Sequence, residues 1–296
     1  MNYINYLMSL KIIIIHIGYK PYLETNIQIT SKTNKIVLIG DDSLAYLAKY
    51  PNVEFFNVNR YINDEKIVYY KKHFKNYSSN NSNFQWLCFQ RIFIIKLFLK
   101  ESNLFKIFHI DSDNVMLYDI NNYVFNKENA YIMCQNYNNP NHMAHSVHAA
   151  LISQNMCLEF EKLYEDLYIN ESKLQLIENK INFHKNEHGG YRAGGICDMT
   201  LYYILSNEKI IEVQNLLQPS VGKDGETYVF NNIISSGEGA ISKSQYHNNI
   251  IAYTIFDNIN KKNYNLMSIH FQGGSKELLN KELLNKLDGV CGNISS

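Results

Sequence analysis

The sequence has no block of basic residues and no apolar run long enough to cross a bilayer. Lys plus Arg and Asp plus Glu number 28 each, so the net charge is zero and electrostatic binding to nucleic acid is not expected. The N-terminal stretch LKIIIIHIG is too short for a membrane span, and no signal-type cleavage region follows it. We therefore expect no transmembrane segment and a cytoplasmic protein, in a bacterium or a virus-infected host cell.

Cysteine is scarce, and none of it forms a C-x-x-C pair. The five cysteines are odd in number and far apart, which favours free thiols in a reducing compartment. The apolar fraction is 46% and the charged fraction 19%, which is typical of a folded globular protein rather than a disordered one.

The first third of the chain alternates between strand-like and helix-like segments. Apolar, β-branched runs at 11–18, 34–43 and 53–59 are typical of strands, and the first two have the continuous pattern of strands buried on both faces. The segment YLAKY between the second and third runs predicts a short helix. This alternation predicts an α/β fold with a mixed, mostly parallel sheet flanked by helices.

A buried helix and another strand follow a polar loop at 77–83. From Phe84 the chain has apolar residues on all sides of a predicted helix, with Arg91 as its one early charge. A buried Arg91 needs an anionic partner, which can be an internal carboxylate or a nucleotide diphosphate. The strand LFKIFHI then leads to Asp111 and Asp113, at the carboxyl end where α/β sheets bind ligands.

The rest of the chain offers weaker signals. His142, His145, His148 and His188 are predicted to lie in loops, as sugar-binding or surface residues rather than a zinc site, because no HExxH-type acid accompanies them. The chain after Pro219 has no clear assignment until NLMSIHFQGGSKELL. Without a linker, repeat or shift in composition, we expect a single domain spanning residues 1–296.

Asp111-Ser112-Asp113 has the composition of a divalent-metal site. In an extended segment alternate residues point to the same side, so both carboxylates would face one ligand. Mg²⁺ and Mn²⁺ prefer oxygen ligands and are often held by one or two carboxylates together with substrate phosphates.

This motif, its upstream helix and the C-terminal His270-Phe-x-Gly-x-x-Lys276 resemble the GT-A nucleotide-sugar glycosyltransferases, in particular the glycogenin-like and bacterial galactosyltransferase-like families. The resemblance implies that Asp111, Asp113 and His270 hold Mn²⁺ or Mg²⁺. It also implies that Gly273 allows close backbone approach to the donor and that Lys276 contacts the donor diphosphate. Those families usually continue with Pro-Trp after the lysine, whereas this chain has Glu277-Leu278.

The same resemblance suggests further donor and acceptor contacts. His16, Gly18 and Tyr19 would contact the base or ribose, and Asp111 and Ser112 the donor. Asp198, in the Gly-rich stretch 189–200, is a candidate general base for the acceptor hydroxyl. The nucleotide-binding half would span about residues 1–120 and the acceptor-binding half about 121–296.

The function that the resemblance implies is transfer of a sugar from a nucleoside diphosphate sugar, by expectation a UDP-sugar, to a hydroxyl of a glycan or glycoconjugate. The C-terminal motif implies retention of configuration and Asp198 as base implies inversion, so the stereochemistry stays open. Two alternatives remain. One is a haloacid-dehalogenase-like phosphatase with Asp111 as nucleophile, although GDD precedes that strand here instead of following it. The other is an inactive sugar-nucleotide or glycan-binding relative.

Overall fold

The computed structural model describes residues 9–134, 141–187, 195–230, 254–257 and 262–279. The helices of four residues or more are α1 Pro21–Thr30, α2 Asn59–Ile62, α3 Glu65–His73, α4 Ser82–Glu101, α5 Gln154–Tyr168, α6 Gln175–Glu187 and α7 Asp198–Asn207, with 3₁₀ helices at Asp42–Lys49, Ile120–Asn122 and Gly273–Leu278. In the described ranges no helix is both long and apolar enough to cross a membrane.

The strands of the described ranges form two sheets. They are β1 Ile12–His16, β2 Ile36–Gly40, β3 Val53–Asn57, β4 Lys106–Ile110, β5 Asn114–Met116, β6 Asn129–Ile132, β7 Ser146–Ser153, β8 Val213–Asn215, β9 Ser220–Val221, β10 Thr227–Phe230, β11 Thr254–Asp257 and β12 Lys262–His270. The larger sheet has the order β3-β2-β1-β4-β7-β6-β8, with β1 parallel to β2, β6 parallel to β8 and β6 antiparallel to β7. The predicted mixed, mostly parallel sheet flanked by helices is confirmed.

By contact density the chain divides into two compact units, each built from separate stretches. The first comprises Met1–Phe55, Ile110–Val124 and Leu217–Ser296, and the second comprises Phe56–His109 and Phe125–Leu216. The stretches of the two units therefore alternate along the sequence, and no single boundary near residue 120 divides them. The predicted single domain, with its two functional halves, stays a prediction.

In the first unit, β1 and β2 are the buried strands that their apolar runs predict. Ile12, Ile13 and Ile14 of β1 are fully buried, and all five residues of β2 are buried. Gly40 ends β2 opposite His16, where a Cβ atom would lie 2.9 Å from the carbonyl oxygen of His16. Glycine thus allows the two strands to stay close at the edge from which the loop to α1 leaves.

The first unit also contains the second sheet, which sequence patterns left unassigned. Its order is β11-β12-β10-β9, and β12 pairs in addition with β5, the strand that follows Asp113. An apolar cluster that includes residues of this sheet joins distant parts of the chain: Ile29, Val115, Leu117, Val229, Leu266, Ile269, Phe271 and Leu279. Burial of this cluster fixes β5 and the end of β12 against each other.

In the second unit, α4 is the buried helix that the sequence predicts. It begins at Ser82, because the side chain of Asn81 accepts hydrogen bonds from the backbone N–H groups of Asn83 and Phe84. Its Phe89 is fully buried, with ring centroids 5.8 Å from Tyr164 and 5.5 Å from Tyr168 of α5. The aromatic packing explains why this helix is apolar around most of its circumference.

Candidate metal centre

The two aspartates of the Asp-Ser-Asp motif lie in a tight turn between strands. β4 ends at Ile110 and β5 begins at Asn114, whose backbone N–H donates to the carbonyl oxygen of Asp111 at 2.9 Å. The sequence predicted an extended segment here, and the structure has a turn instead. Strand alternation therefore does not orient the side chains of this segment. The turn itself brings the carboxylates of Asp111 and Asp113 together.

His270 meets this turn because β12 pairs antiparallel with β5. His270 is opposite Asn114 in the register, and the N–H of the next residue, Phe271, donates to the carbonyl oxygen of Asp113 at 2.8 Å. Strand pairing thus joins two motifs from distant parts of the chain.

Asp111, Asp113 and His270 together form a group able to hold a metal ion. One ligand atom from each residue lies within 4.8 Å of the others, and Nε2 of His270 is 3.4 Å from Oδ1 of Asp113. Asp113 and His270 are buried, whereas Asp111 is partly exposed. Two carboxylates and one imidazole leave coordination positions for water or substrate, so the residues fit Mn²⁺ or Mg²⁺ bound together with a phosphate group.

Lys276 occupies the other side of the Asp113 carboxylate. Its Nζ is 2.9 Å from Oδ2 of Asp113 and 5.2 Å from the ring centroid of Tyr22. Burial disfavours the charged form of Lys276, but the carboxylate of Asp113 outweighs this and raises the pKa of Lys276 above its usual value. The centre therefore contains a fixed positive charge beside the candidate metal ligands.

Gly273 begins the short 3₁₀ helix that carries Lys276. Its φ of +62° is in the region that favours glycine, and among the described residues no atom beyond its chain neighbours lies within 4 Å of where a Cβ would be. The backbone conformation explains this glycine. Its predicted close approach to a donor stays a prediction.

The loop after β1 contains His16, Gly18 and Tyr19. Gly18 has a φ of +79°, and its N–H donates to Oδ2 of Asp41, the residue that follows β2, at 2.5 Å. Burial, followed by the positive charge of Lys276, lowers the pKa of His16. Nε2 of His16 is buried and has no hydrogen-bond partner within the described part of the chain. A neutral imidazole with an unused nitrogen thus lies near the charges of Lys276 and Asp113.

A cavity of about 590 Å³, lined in part by Lys276, lies within the first unit. Its wall consists of Tyr19, Pro21, Tyr22, Glu24, Thr25, Gln28, Lys276, Glu277 and Leu279. The carboxylate of Glu24 accepts hydrogen bonds from the hydroxyls of Tyr46 at 3.0 Å and Tyr50 at 2.7 Å. The wall therefore combines aromatic rings, carboxylates and one ammonium group.

Arg91 and Asp198 form an ion pair in the second unit. Nη2 of Arg91 is 2.9 Å from Oδ2 of Asp198, the first residue of α7, and the Asp198 side chain is 5% exposed. The anionic partner that Arg91 requires is thus an internal carboxylate. A donor contact for Arg91 and a catalytic role for Asp198 stay predictions.

Of the histidines predicted to lie in loops, His142 is exposed and outside helices and strands, as predicted, whereas two others are buried. His148 is in β7 and His145 directly precedes that strand; both are buried, which corrects the expectation of surface residues. A sugar-binding role for them stays a prediction. Nδ1 of His145 donates to the carbonyl oxygen of Ala144 at 2.9 Å, and Nδ1 of His148 is 2.7 Å from Oγ of Ser146. His188 and the Gly-rich stretch 189–194 lie outside the described residues.

Two residues near the candidate metal centre were not predicted from the sequence. Asp41 holds the loop after β1, and the Gly-Asp-Asp at the end of β2 was a signal that could have identified it. Asn26 of α1 donates to the backbone of the Asp-Ser-Asp turn. Its only signal was a polar residue in an otherwise buried part of a helix.

Comparison with known proteins gives no match to any protein-family model and none to any curated protein. Among solved structures, similarity extends to the PaToxG glycosyltransferase (13% identity, 67% of this chain and 69% of that one, TM-score 0.39). It also extends to a glycosyltransferase involved in glycosylation of the major capsid of PBCV-1 (8% identity, 93% and 99%, TM-score 0.37). A third similar structure is the glycosyltransferase GlyE of Streptococcus pneumoniae TIGR4 (15% identity, 70% and 46%, TM-score 0.36).

Proposed function

We propose that the chain is a metal-dependent glycosyltransferase that uses a nucleoside diphosphate sugar, specifically a UDP-sugar, and transfers the sugar to a hydroxyl of a glycan or glycoconjugate. The observation that carries the proposal is the grouping of Asp111, Asp113 and His270 with Lys276 beside Asp113. It joins potential metal ligands to a cation that can face phosphate, as cleavage of a diphosphate leaving group requires.

The donor atoms of the centre match the proposed metal. Carboxylate oxygens suit Mg²⁺ and Mn²⁺, and a single imidazole is compatible with Mn²⁺. When bound, the ion supplies Lewis-acid stabilisation of negative charge on the departing diphosphate. Asp113 and His270, both buried, would hold it in a fixed position, with Asp111 completing the set or facing the ribose.

Lys276 and His16 provide the remaining electrostatic environment. The raised pKa of Lys276 keeps its ammonium charged at neutral pH, so it can stabilise phosphate oxygens as a point charge. The lowered pKa of His16 keeps that imidazole neutral, so it adds no second positive charge and can accept or donate one hydrogen bond. We assign these two residues to the diphosphate and the adjoining ribose.

The cavity beside Lys276 supports the assignment of the donor nucleoside to this side of the centre. Tyr19 lines the cavity together with Tyr22 and is 47% exposed, so the Tyr19 ring is available to a planar base. The proposed donor contacts in this unit are His16, Gly18, Tyr19, Asp111, Ser112, Gly273 and Lys276. Arg91 is proposed as a further donor contact and Asp198 as the base for the acceptor hydroxyl.

Release of the nucleoside diphosphate tests the proposal. The protein is incubated with UDP-glucose, UDP-galactose, UDP-N-acetylglucosamine or GDP-mannose, each with Mn²⁺ or with EDTA, and nucleotide release is measured. We expect release from a UDP-sugar that depends on Mn²⁺.

Three outcomes would contradict the proposal. No release from any donor, together with metal-dependent hydrolysis of p-nitrophenyl phosphate, would favour the phosphatase with Asp111 as nucleophile. Donor binding without turnover would favour an inactive binding relative. Equal release in Mn²⁺ and EDTA would exclude the metal role of Asp113.

A further inference from the structure

One face of α1, together with the turn after it, has buried polar side chains at every fourth position. Asn26 and Thr30 are fully buried, and Asn34 is 2% exposed. Buried amides and hydroxyls are costly unless they are hydrogen-bonded, so a row of three requires a partner along its whole length.

The partner is the backbone of residues 112–120, the segment that begins in the Asp-Ser-Asp turn. Nδ2 of Asn26 donates to the carbonyl oxygens of Ser112 at 2.9 Å and Asn114 at 3.0 Å. The N–H of Met116 donates to Oγ1 of Thr30 at 3.2 Å. Nδ2 of Asn34 donates to the carbonyl oxygen of Tyr118 at 3.0 Å, and Oδ1 of Asn34 accepts from the N–H of Ile120 at 2.9 Å. We call Asn26, Thr30 and Asn34 the α1 ladder.

The α1 ladder matches the facing backbone because the repeat distances of a helix and a strand are similar. Four residues of an α-helix advance about 6 Å, and two residues of a strand advance roughly 6.6 Å. Side chains at positions 26 and 30 can therefore meet residues two apart in the facing strand, and the turn after α1 places Asn34 against Tyr118 and Ile120. They satisfy an edge that no neighbouring strand covers on that side in the described structure.

Thr30 also fixes the orientation of the Asn26 amide. Its Oγ1 donates to Oδ1 of Asn26 at 2.7 Å, while it accepts from Met116. The amide oxygen of Asn26 is thereby occupied, so its NH₂ group must face the two carbonyls of the turn.

We infer that Asn26 is a positioning residue for the metal ligands, an inference that rests on the proposed function. Three successive carbonyls of the turn have partners: Ser112 and Asn114 bind Asn26, and Asp113 binds the N–H of Phe271. The backbone on both sides of Asp113 is held by α1 on one side and by the chain after β12 on the other. This restraint sets the direction of the Asp113 carboxylate relative to His270.

Titration with MnCl₂ alone, measured by the loss of the free Mn²⁺ signal in electron paramagnetic resonance, tests the inference. We expect Asn26→Ala to weaken Mn²⁺ binding about tenfold, as loss of a supporting contact does at other metal sites. Asn34→Ala is the matched control, because it removes the same kind of buried amide bonds far from the turn. It should lower thermal stability similarly and leave Mn²⁺ binding within about twofold of the unaltered protein.

Thr30 gives a second pair of variants in case Asn26→Ala does not fold. Thr30→Val removes the hydroxyl with little change in shape and should weaken Mn²⁺ binding. Thr30→Ser keeps the hydroxyl and should bind Mn²⁺ like the unaltered protein. Unchanged Mn²⁺ binding in folded Asn26→Ala, or equal weakening in Asn34→Ala, would overturn the inference.

Amide hydrogen exchange separates this inference from the proposed function. Asn26→Ala should accelerate exchange at Asn114, whose N–H closes the turn, and Asn34→Ala should accelerate it at Ile120. If the unaltered protein binds no Mn²⁺, the proposed metal dependence fails, and exchange at Asn114 still decides whether Asn26 holds the turn. Unaltered exchange at Asn114 in Asn26→Ala would reject that role.

Discussion

Lys276 and Asp113 form an ion pair at the candidate metal centre, with Nζ of Lys276 2.9 Å from Oδ2 of Asp113. The same carboxylate is one of the three potential metal ligands, and its other oxygen faces His270. A divalent cation bound at this centre would therefore share one buried carboxylate with an ammonium group. Such sharing would couple the charge state of the centre to metal binding.

Removal of the ammonium group should affect metal affinity and turnover in opposite directions. In Lys276→Met, Mn²⁺ no longer competes with a cation for Asp113, so affinity for Mn²⁺ alone should rise about threefold, as expected for a partly exposed pair. Nucleotide release should fall, because the donor diphosphate loses a positive charge. Calorimetric titration and a donor-hydrolysis assay measure the two effects, with exposed Lys35→Met as the control. Weaker Mn²⁺ binding in Lys276→Met would show that the lysine supports the metal ligands instead of competing with them.

Neutralisation of Asp113 should abolish metal-dependent turnover. Asp113→Asn keeps the shape of the side chain but removes its negative charge, and we expect turnover to fall by at least about a hundredfold. Donor hydrolysis across a range of Mn²⁺ concentrations measures this, with circular dichroism to verify folding. Asp42→Asn, at an exposed aspartate in the same unit, should behave like the unaltered protein. A folded Asp113→Asn variant with normal turnover would remove Asp113 from the centre.

The ion pair between Arg91 and Asp198 should contribute to stability whatever its role in catalysis. Loss of one partner leaves the other charge poorly compensated in a largely buried position, so Asp198→Asn should lower the free energy of unfolding by about 3 kcal/mol. Arg91→Met in the Asp198→Asn background should recover part of that loss. Urea denaturation of the two single variants and the double variant measures the coupling.

Kinetics of the same variants test the proposed base. If Asp198 deprotonates the acceptor, turnover should fall much further in Asp198→Asn than in Arg91→Met, and the product should have inverted configuration. Equal losses in the two variants would assign the pair a structural role.

Protein stability should decrease as the pH falls from about 6.5 to 4. Burial lowers the pKa of His145 to about 4 from an ordinary value of 6.5, so in this range the unfolded chain binds a proton that the folded chain does not. The free energy of unfolding should thus drop by up to about 3 kcal/mol across the window, and the lowered pKa of His16 acts in the same direction.

Denaturation at a series of pH values measures this slope. His145→Phe should flatten it, since the substituted ring cannot take up a proton. An equal slope in His145→Phe would show that other groups cause the pH dependence.

The parts of the fold that sequence patterns predicted are those governed by local periodicity. Continuous β-branched runs marked β1 and β2, and an apolar stretch without glycine or proline marked α4. In each case burial on all sides leaves a signature within a few neighbouring residues. The strands after Pro219 had no such signature, and β12 was recognised only by the motif at its end.

The candidate residues were found from the sequence, but the geometry that joins them was not. Asp111, Asp113, His270 and Lys276 were predicted together from two motifs, whereas the extended form expected for Asp-Ser-Asp proved to be a turn. His145 and His148 were expected in loops and are buried, because polar spacing does not reveal which strands cover a segment.

Composition and short-range patterns alone established the α/β class, the main buried elements and the Asp-Ser-Asp motif, and the family resemblance added His270 and Lys276 as candidates. Tertiary structure decided how those ligands meet, through the register of β12 on β5 and the bonds from Asn26 to the Asp-Ser-Asp turn. It also decided the partner of Arg91. The physical reason is that local conformation follows from neighbouring side chains. Strand register and the partners of buried polar groups depend instead on packing between residues far apart in the chain.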